Sequence, residues 1–129
     1  MRRFKIIVLL ILLSAYQSPV TQNVKDYGEE FELNFGEMTR VGPDKTLVEF
    51  LDVPEDSRCP INVTCVWAGN GKVQIRIDNR EINLNTYLEP RDTIISNHLI
   101  KLISLKPYPE HPEQIDKKDY RVRLQIRNQ

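Results

Sequence analysis

The chain has 129 residues, with 18 basic and 18 acidic side chains and a formal net charge of +0. A chain of this length forms one domain and leaves no room for a second. Without an excess of positive charge, nucleic acid is not an expected partner.

The first 22 residues have the composition of a signal peptide. Basic residues within the first five positions precede an uninterrupted apolar run over residues 6–13. This run is too short to cross a bilayer, because a spanning helix needs about 20 apolar residues. We predict export through a leader over residues 1–22, with its cleavage point between positions 15 and 22, and a single domain over residues 23–129. Loss of the three leader charges leaves 15 basic against 18 acidic residues, a net of −3.

The first predicted strands follow the leader. Apolar and polar residues alternate from Phe31 to Phe35, which indicates a strand with one solvated face. Residues 47–53 carry apolar side chains in both parities, as expected of a central strand covered on both sides. Between them, Gly42-Pro43-Asp44 predicts a turn.

Both cysteines and the only tryptophan lie within residues 55–69. In an exported chain, Cys59 and Cys65 are most simply one disulfide. Bridged cysteines have their Cα atoms about 4.4 to 6.8 Å apart, whereas an extended segment would separate these two by roughly 20 Å. The chain must therefore double back between them. A closed loop this short is expected to contribute roughly 2.4 kcal/mol.

Side chains beside the cysteines are candidates for anchoring this loop. Asp56 and Arg58 can form a bidentate ion pair whose guanidinium also reaches backbone carbonyls. Trp67 lies two residues beyond Cys65, so in a strand its ring would point to the side of the sulfur. We expect this ring to pack on the disulfide in the core.

The anchored loop would present its tip as a rigid binding surface. The proline-rich segment 107–114, expected to be a loop, supplies further candidates. The candidate binding residues are Ile61, Asn62, Val63, Thr64, Tyr108 and His111.

Beyond the cysteines, the pattern indicates further hairpins. Asn70-Gly71 stands between residues 66–68 and the alternating run 73–77, and an Asn-Gly pair there predicts a hairpin turn. A second hairpin is expected through residues 78–80 into the run 81–85.

Two more strands complete the chain. Residues 99–105 are expected to be largely buried and to end before Pro107, which cannot donate to a ladder. Residues 120–127 alternate apolar side chains with arginines, so the outer face is solvated and would discourage pairing at a sheet edge. The fold prediction is an all-β, antiparallel β-sandwich of six to seven strands, with a small β-barrel as the alternative. We expect a monomer.

The motif DSRCPxxVxCVWAG, which runs from Asp56 to Gly69, together with the later Pro107 and Pro109, resembles a group of small exported bacterial proteins. The likeness covers nearly the whole mature chain. It implies a leader peptide, an all-β domain and the disulfide. The members are mostly uncharacterised, so the resemblance implies no activity.

The sequence offers no clear catalytic constellation. The only histidines are His98 and His111, and oxidised cysteines leave no thiolate nucleophile. We therefore expect neither an enzyme nor a cofactor. The predicted function is binding of an envelope or extracellular protein or glycan, in the periplasm or outside the cell.

Three alternatives remain open. The loop between the cysteines could enter an extracellular protease as an inhibitor. A metal-binding envelope protein could use the loop around His111 with Glu110, Glu113, Asp116 and His98, or bind calcium through Asp52, Glu55 and Asp56. A basic stripe near the C-terminus could attract anionic surfaces, although its alternate spacing fits an ordinary solvated strand face; it comprises Lys117, Lys118, Arg121, Arg123 and Arg127.

Overall fold

A computed structural model describes residues 23–110 and 114–129. The predicted leader and His111 therefore lie outside the described residues. The described part of the chain forms eight strands in two antiparallel four-stranded sheets, which confirms the predicted sandwich and disulfide. The strands outnumber the six to seven predicted, because two of them are only four residues long.

The first sheet has the order β2-β3-β4-β5 and the second the order β1-β8-β7-β6. The strands are β1 Glu30–Asn34, β2 Met38–Val41, β3 Thr46–Asp56, β4 Gly71–Ile77, β5 Arg80–Asn85, β6 Asp92–Ile95, β7 His98–Lys106 and β8 Arg121–Asn128. The chain crosses between sheets after β1 and after β5.

Apolar and polar residues alternate along the strands, and successive side chains of a strand point to opposite faces of its sheet. The apolar side chains of both sheets therefore meet in one core. In β4, for example, every second residue is buried. The fully buried large side chains come from both sheets: Leu33, Val41, Val48, Phe50, Val73, Ile75, Leu84, Ile100, Leu105, Val122, Leu124 and Ile126.

Both predicted inner strands, β3 and β7, are flanked on each side by another strand. The arginine-rich β8 is also internal, between β1 and β7, so its charges do not protect a sheet edge. Instead its outward arginines face acidic residues of β1, with Arg123 3.7 Å from Glu30 and 3.5 Å from Glu32.

The turns between strands agree with the sequence-based predictions in two places and differ from them in one. The predicted turn at Gly42-Pro43-Asp44 joins β2 to β3, and Asp78-Asn79 closes the β4–β5 hairpin with Asp78 at φ 50°. The hairpin predicted at Asn70-Gly71 is wrong. Residues 66–68 form no strand, and Gly71 is already the first residue of β4.

Candidate functional site

Three connections meet at one end of the sandwich, because β3, β5 and β7 end there and β4, β6 and β8 begin there. We call this end the loop pole. It consists of the β3–β4 loop (57–70), the β5–β6 loop (86–91) and the described parts of the β7–β8 loop (107–110 and 114–120).

The β3–β4 loop begins as a short extension of its hairpin. Ser57 N donates to Asn70 O at 2.7 Å, and Cys59 N donates to Ala68 O at 3.0 Å. Gly69 has φ +71°, and a Cβ there would lie 1.8 Å from the carbonyl oxygen of Ser57. Only glycine fits this backbone conformation and this close approach.

The disulfide closes the outer part of the same loop. The Cα atoms of Cys59 and Cys65 are 5.9 Å apart, as the predicted reversal of the chain requires. Within this ring, Val63 N donates to Pro60 O at 3.1 Å, so the backbone turns at Ile61 and Asn62. Residues 61–68 are all exposed.

Arg58 is buried at the base of the loop, with 5% of its surface exposed. Its Nε and Nη2 donate to the two carboxylate oxygens of Asp56, both at 2.8 Å, which is the bidentate contact that the sequence predicts. Its Nη1 donates to Leu105 O at 2.7 Å and Nη2 to Pro107 O at 3.0 Å. One guanidinium thus ties the β3–β4 loop to the end of β7 and to the loop that follows.

Tyr120 completes this cluster. Its hydroxyl donates to Asp56 Oδ2 at 2.7 Å. Burial disfavours the charged form of Asp56, but the hydrogen bonds from Arg58 and Tyr120 outweigh it and lower the pKa of Asp56 below its ordinary value. Burial and the contact with Asp56 raise the pKa of the Tyr120 phenol. The cluster therefore holds an ionised carboxylate with its hydrogen bonds satisfied.

The proline-rich loop is hydrogen-bonded to the disulfide-closed segment 59–65. Ile61 N donates to Pro109 O at 2.9 Å, and the side-chain amide of Asn62 donates to Glu110 O at 3.0 Å. The ring of Tyr108 lies against the Arg58 guanidinium, whose central carbon is 5.0 Å from the ring centroid. The two loops are therefore held as one unit.

Asn70, which is predicted to lie in a turn, connects the β5–β6 loop to the β3–β4 loop. Its buried amide donates to Asn85 Oδ1 at 2.9 Å, and its Oδ1 accepts from the backbone N–H groups of Tyr87 and Leu88, both at 3.1 Å. The Asn70-Gly71 pair is the local sequence signal at this position, but it predicts a hairpin turn and not this contact. Its amide instead fixes the β5–β6 loop against the β3–β4 loop.

The rigid loops expose large apolar side chains. Trp67 is 51% exposed and not in the core, so the predicted packing of its ring beneath the disulfide is wrong. Trp67 comes before the chain rejoins the base of the loop at Ala68, so it lies outside both sheets. Its indole contacts the ring of Tyr87, with centroids 6.4 Å apart. We call the exposed apolar set the apolar tip: Ile61, Val63, Val66, Trp67, Tyr87, Leu88 and Tyr108.

A groove of about 400 Å³ runs beside the base of the loop, between Val53, Pro60, Ile115 and Tyr120. The charged residues that line it are already in ion pairs, Asp56 with Arg58 and Lys117 with Asp52. The groove is therefore less suited to a charged ligand than its lining suggests.

The proposed calcium ligands are paired with cations. Asp52 accepts from Lys117 at 2.7 Å and Glu55 lies 3.3 Å from Lys72, whereas Asp56 binds Arg58. Within residues 23–110 and 114–129, no group of three or more His, Cys, Asp or Glu side chains is placed to hold a metal ion.

Most of the other described candidates lie apart from the loop pole or in ion pairs. His98 begins β7 at the opposite end of the sandwich, where its Nε2 is 2.7 Å from the Tyr27 hydroxyl, and this hydroxyl also contacts Asp44. The hydrogen bond from Tyr27 lowers the pKa of Asp44. In the basic stripe, Lys118 lies 3.6 Å from Asp116.

Comparison of the chain with protein-family models, with curated proteins and with solved structures finds no match. Among the described residues, no helix is long and apolar enough to cross a membrane.

Proposed function

We propose that this chain is an exported, non-catalytic domain that binds an envelope or extracellular partner through its loop pole. The observation that carries the proposal is the apolar tip, whose large side chains are exposed on loops that the fold holds rigidly. Export is supported by the composition of residues 1–22 and by the disulfide, which persists in oxidising compartments.

Rigidity favours binding because loops that are already ordered lose little conformational entropy when a partner binds. At the loop pole, the disulfide closes segment 59–65 and Arg58 fixes the base of the β3–β4 loop. Asn70 fixes the β5–β6 loop. Surface loops carried by a rigid scaffold are a common place for binding residues. Exposed apolar patches also mark interaction sites more often than the rest of a protein surface.

The disulfide-closed segment 59–65 is less suited to act as a substrate-like protease inhibitor. The hydrogen bond from Val63 N to Pro60 O folds Ile61 and Asn62 into a turn, whereas a protease binds its substrate with an extended backbone. Binding through exposed side chains makes no such demand on the backbone.

Sedimentation with isolated envelope material tests the proposal. Residues 23–129 should bind this material, and Val66→Asp should reduce binding, because the Val66 side chain is fully exposed and its replacement leaves the fold intact. Ile94→Asp is the matched control, since Ile94 is also exposed but lies on β6, outside the loop pole. Equal binding by both variants, or no binding by the wild type, would refute the proposal.

A further inference from the structure

The exposed part of the β3–β4 loop lacks charged residues. Residues 59–70 contain no Asp, Glu, Lys or Arg, although 28% of the chain is charged. Residues 61–68 of this segment are exposed, so burial does not explain the lack of charge. Its absence on an exposed surface indicates that the surface meets an environment in which a charge would be costly.

We infer that the partner of the loop pole is a lipid bilayer, into which the apolar tip inserts at the boundary between headgroups and hydrocarbon. The inference rests on the proposed function and names its partner. Charged side chains are expensive in the bilayer interior, which accounts for an uncharged segment. Trp and Tyr prefer the membrane interface, where one part of the ring is apolar and the other meets water.

The composition of the tip matches this environment. Trp67 and Tyr87 contact each other. Val66, which lies between Cys65 and Trp67 in the sequence, is fully exposed. A protein-binding surface would be expected to add arginine to its aromatic residues. The arginine of this loop, Arg58, is instead buried and bonded to backbone carbonyls.

Charged residues follow directly behind the tip, and they include two pairs of opposite sign as well as the exposed Glu110, whose carbonyl oxygen accepts from Asn62. Lys72 lies 3.3 Å from Glu55, and Arg91 lies 3.3 Å from Glu89. Such pairs are suited to the hydrated headgroup layer but give no preference for anionic lipid. The binding should therefore depend little on lipid charge or salt, unlike attraction through exposed basic residues.

Insertion is expected to be shallow. Within the part of the chain that the structure describes, the backbone N–H groups of residues 64–67 make no hydrogen bond, and such groups cannot be left unpaired in hydrocarbon. At the interface, water and headgroups can accept these bonds. A few inserted side chains should give reversible binding comparable with that of one acyl chain, on the order of 10⁴ M⁻¹.

Lipid vesicles free of protein provide the test, with Trp67 as the reporter because it is the only tryptophan in the chain. Residues 23–129 should sediment with vesicles of phosphatidylcholine alone and with vesicles that also contain phosphatidylglycerol. The Trp67 emission should shift to shorter wavelength as the indole leaves water. Val66→Asp should weaken binding by about tenfold or more, since burying a valine side chain contributes about that factor. Ile94→Asp should bind as the wild type does.

Two outcomes would overturn the inference. One is the absence of vesicle binding and of a Trp67 shift. The other is binding only to anionic vesicles that salt abolishes, which would point to the basic stripe. If envelope material still binds in a Val66-dependent manner while vesicles do not, the partner is a protein or a glycan, and the proposed function stands without the bilayer.

Discussion

Replacing Arg58 with methionine should detach the loop pole from the sandwich. Methionine keeps much of the buried volume but removes four hydrogen bonds, two to Asp56 and one each to the carbonyl oxygens of Leu105 and Pro107. Breaking one partner of a buried ion pair costs about 3 to 5 kcal/mol, because a charge remains buried without compensation. Asp56 keeps the hydroxyl of Tyr120, so we expect the lower end of this range, about 3 kcal/mol.

Urea unfolding followed by circular dichroism measures this loss. A double-mutant cycle with Asp56→Asn provides the control, because the double variant leaves neither charge alone in the fold. Its loss should be clearly smaller than the sum of the two single losses. A loss below about 1 kcal/mol for Arg58→Met, or strict additivity in the cycle, would show that the ion pair does not hold the loop in place.

The pH dependence gives a second measure of the same cluster. The pKa of Asp56 is lower in the folded chain than in the unfolded chain, where it is about 3.9. Its ionisation therefore contributes stability above the unfolded pKa, and this contribution is lost as pH falls through the folded pKa. The stability difference between the wild type and Arg58→Met should be largest near neutral pH and should shrink on acidification below about pH 4.

Three further substitutions test other parts of the loop pole. Joint replacement of Cys59 and Cys65 by alanine should cost about 2.4 kcal/mol in urea unfolding, and a loss below about 0.5 kcal/mol would show that the ring needs no covalent closure. Gly69→Ala should cost more than about 2 kcal/mol, because φ is +71° and a Cβ meets a backbone carbonyl at 1.8 Å. Gly36→Ala, with φ +77° but open space around the Cβ, is its control and should cost about 1 kcal/mol. Trp67→Ala should change stability by less than about 0.5 kcal/mol, whereas a loss of about 3 kcal/mol or more would show that the indole is buried in the core.

The sequence predicts those strands that alternate over many residues. β4 and β8 carry long, regular patterns and are found where expected. The short strands β2 and β6 were missed because each has four residues and exposes an apolar one, Met38 in β2 and Ile94 in β6. In so short a segment, one exposed apolar residue removes the periodicity on which the prediction depends.

In the candidate site, contacts between residues close in sequence were predictable, whereas contacts between distant residues were not. The pairing of Asp56 with Arg58 was predictable because the two residues are two positions apart. The carbonyl of Leu105 was not, since it is a backbone group 47 residues away whose position depends on the whole fold. The prediction for Trp67 is wrong because it depends on a strand at residues 66–68. Gly69, which has a positive φ, is the local sign that the chain turns there.

The apolar tip is not part of the hydrophobic core of the described chain, although single exposed residues such as Met38 and Ile94 also lie outside that core. Its side chains do not belong to the core, which the two sheets build without them. The loops are held instead by Arg58, Asn70 and the disulfide, whose contacts involve backbone groups and buried polar atoms. Polar replacements at Val66 and Trp67 should therefore leave stability nearly unchanged, whereas Tyr108 also contacts the Arg58 guanidinium. A group of exposed apolar side chains, unlike a single exposed residue such as Ile94, indicates a contact outside the chain.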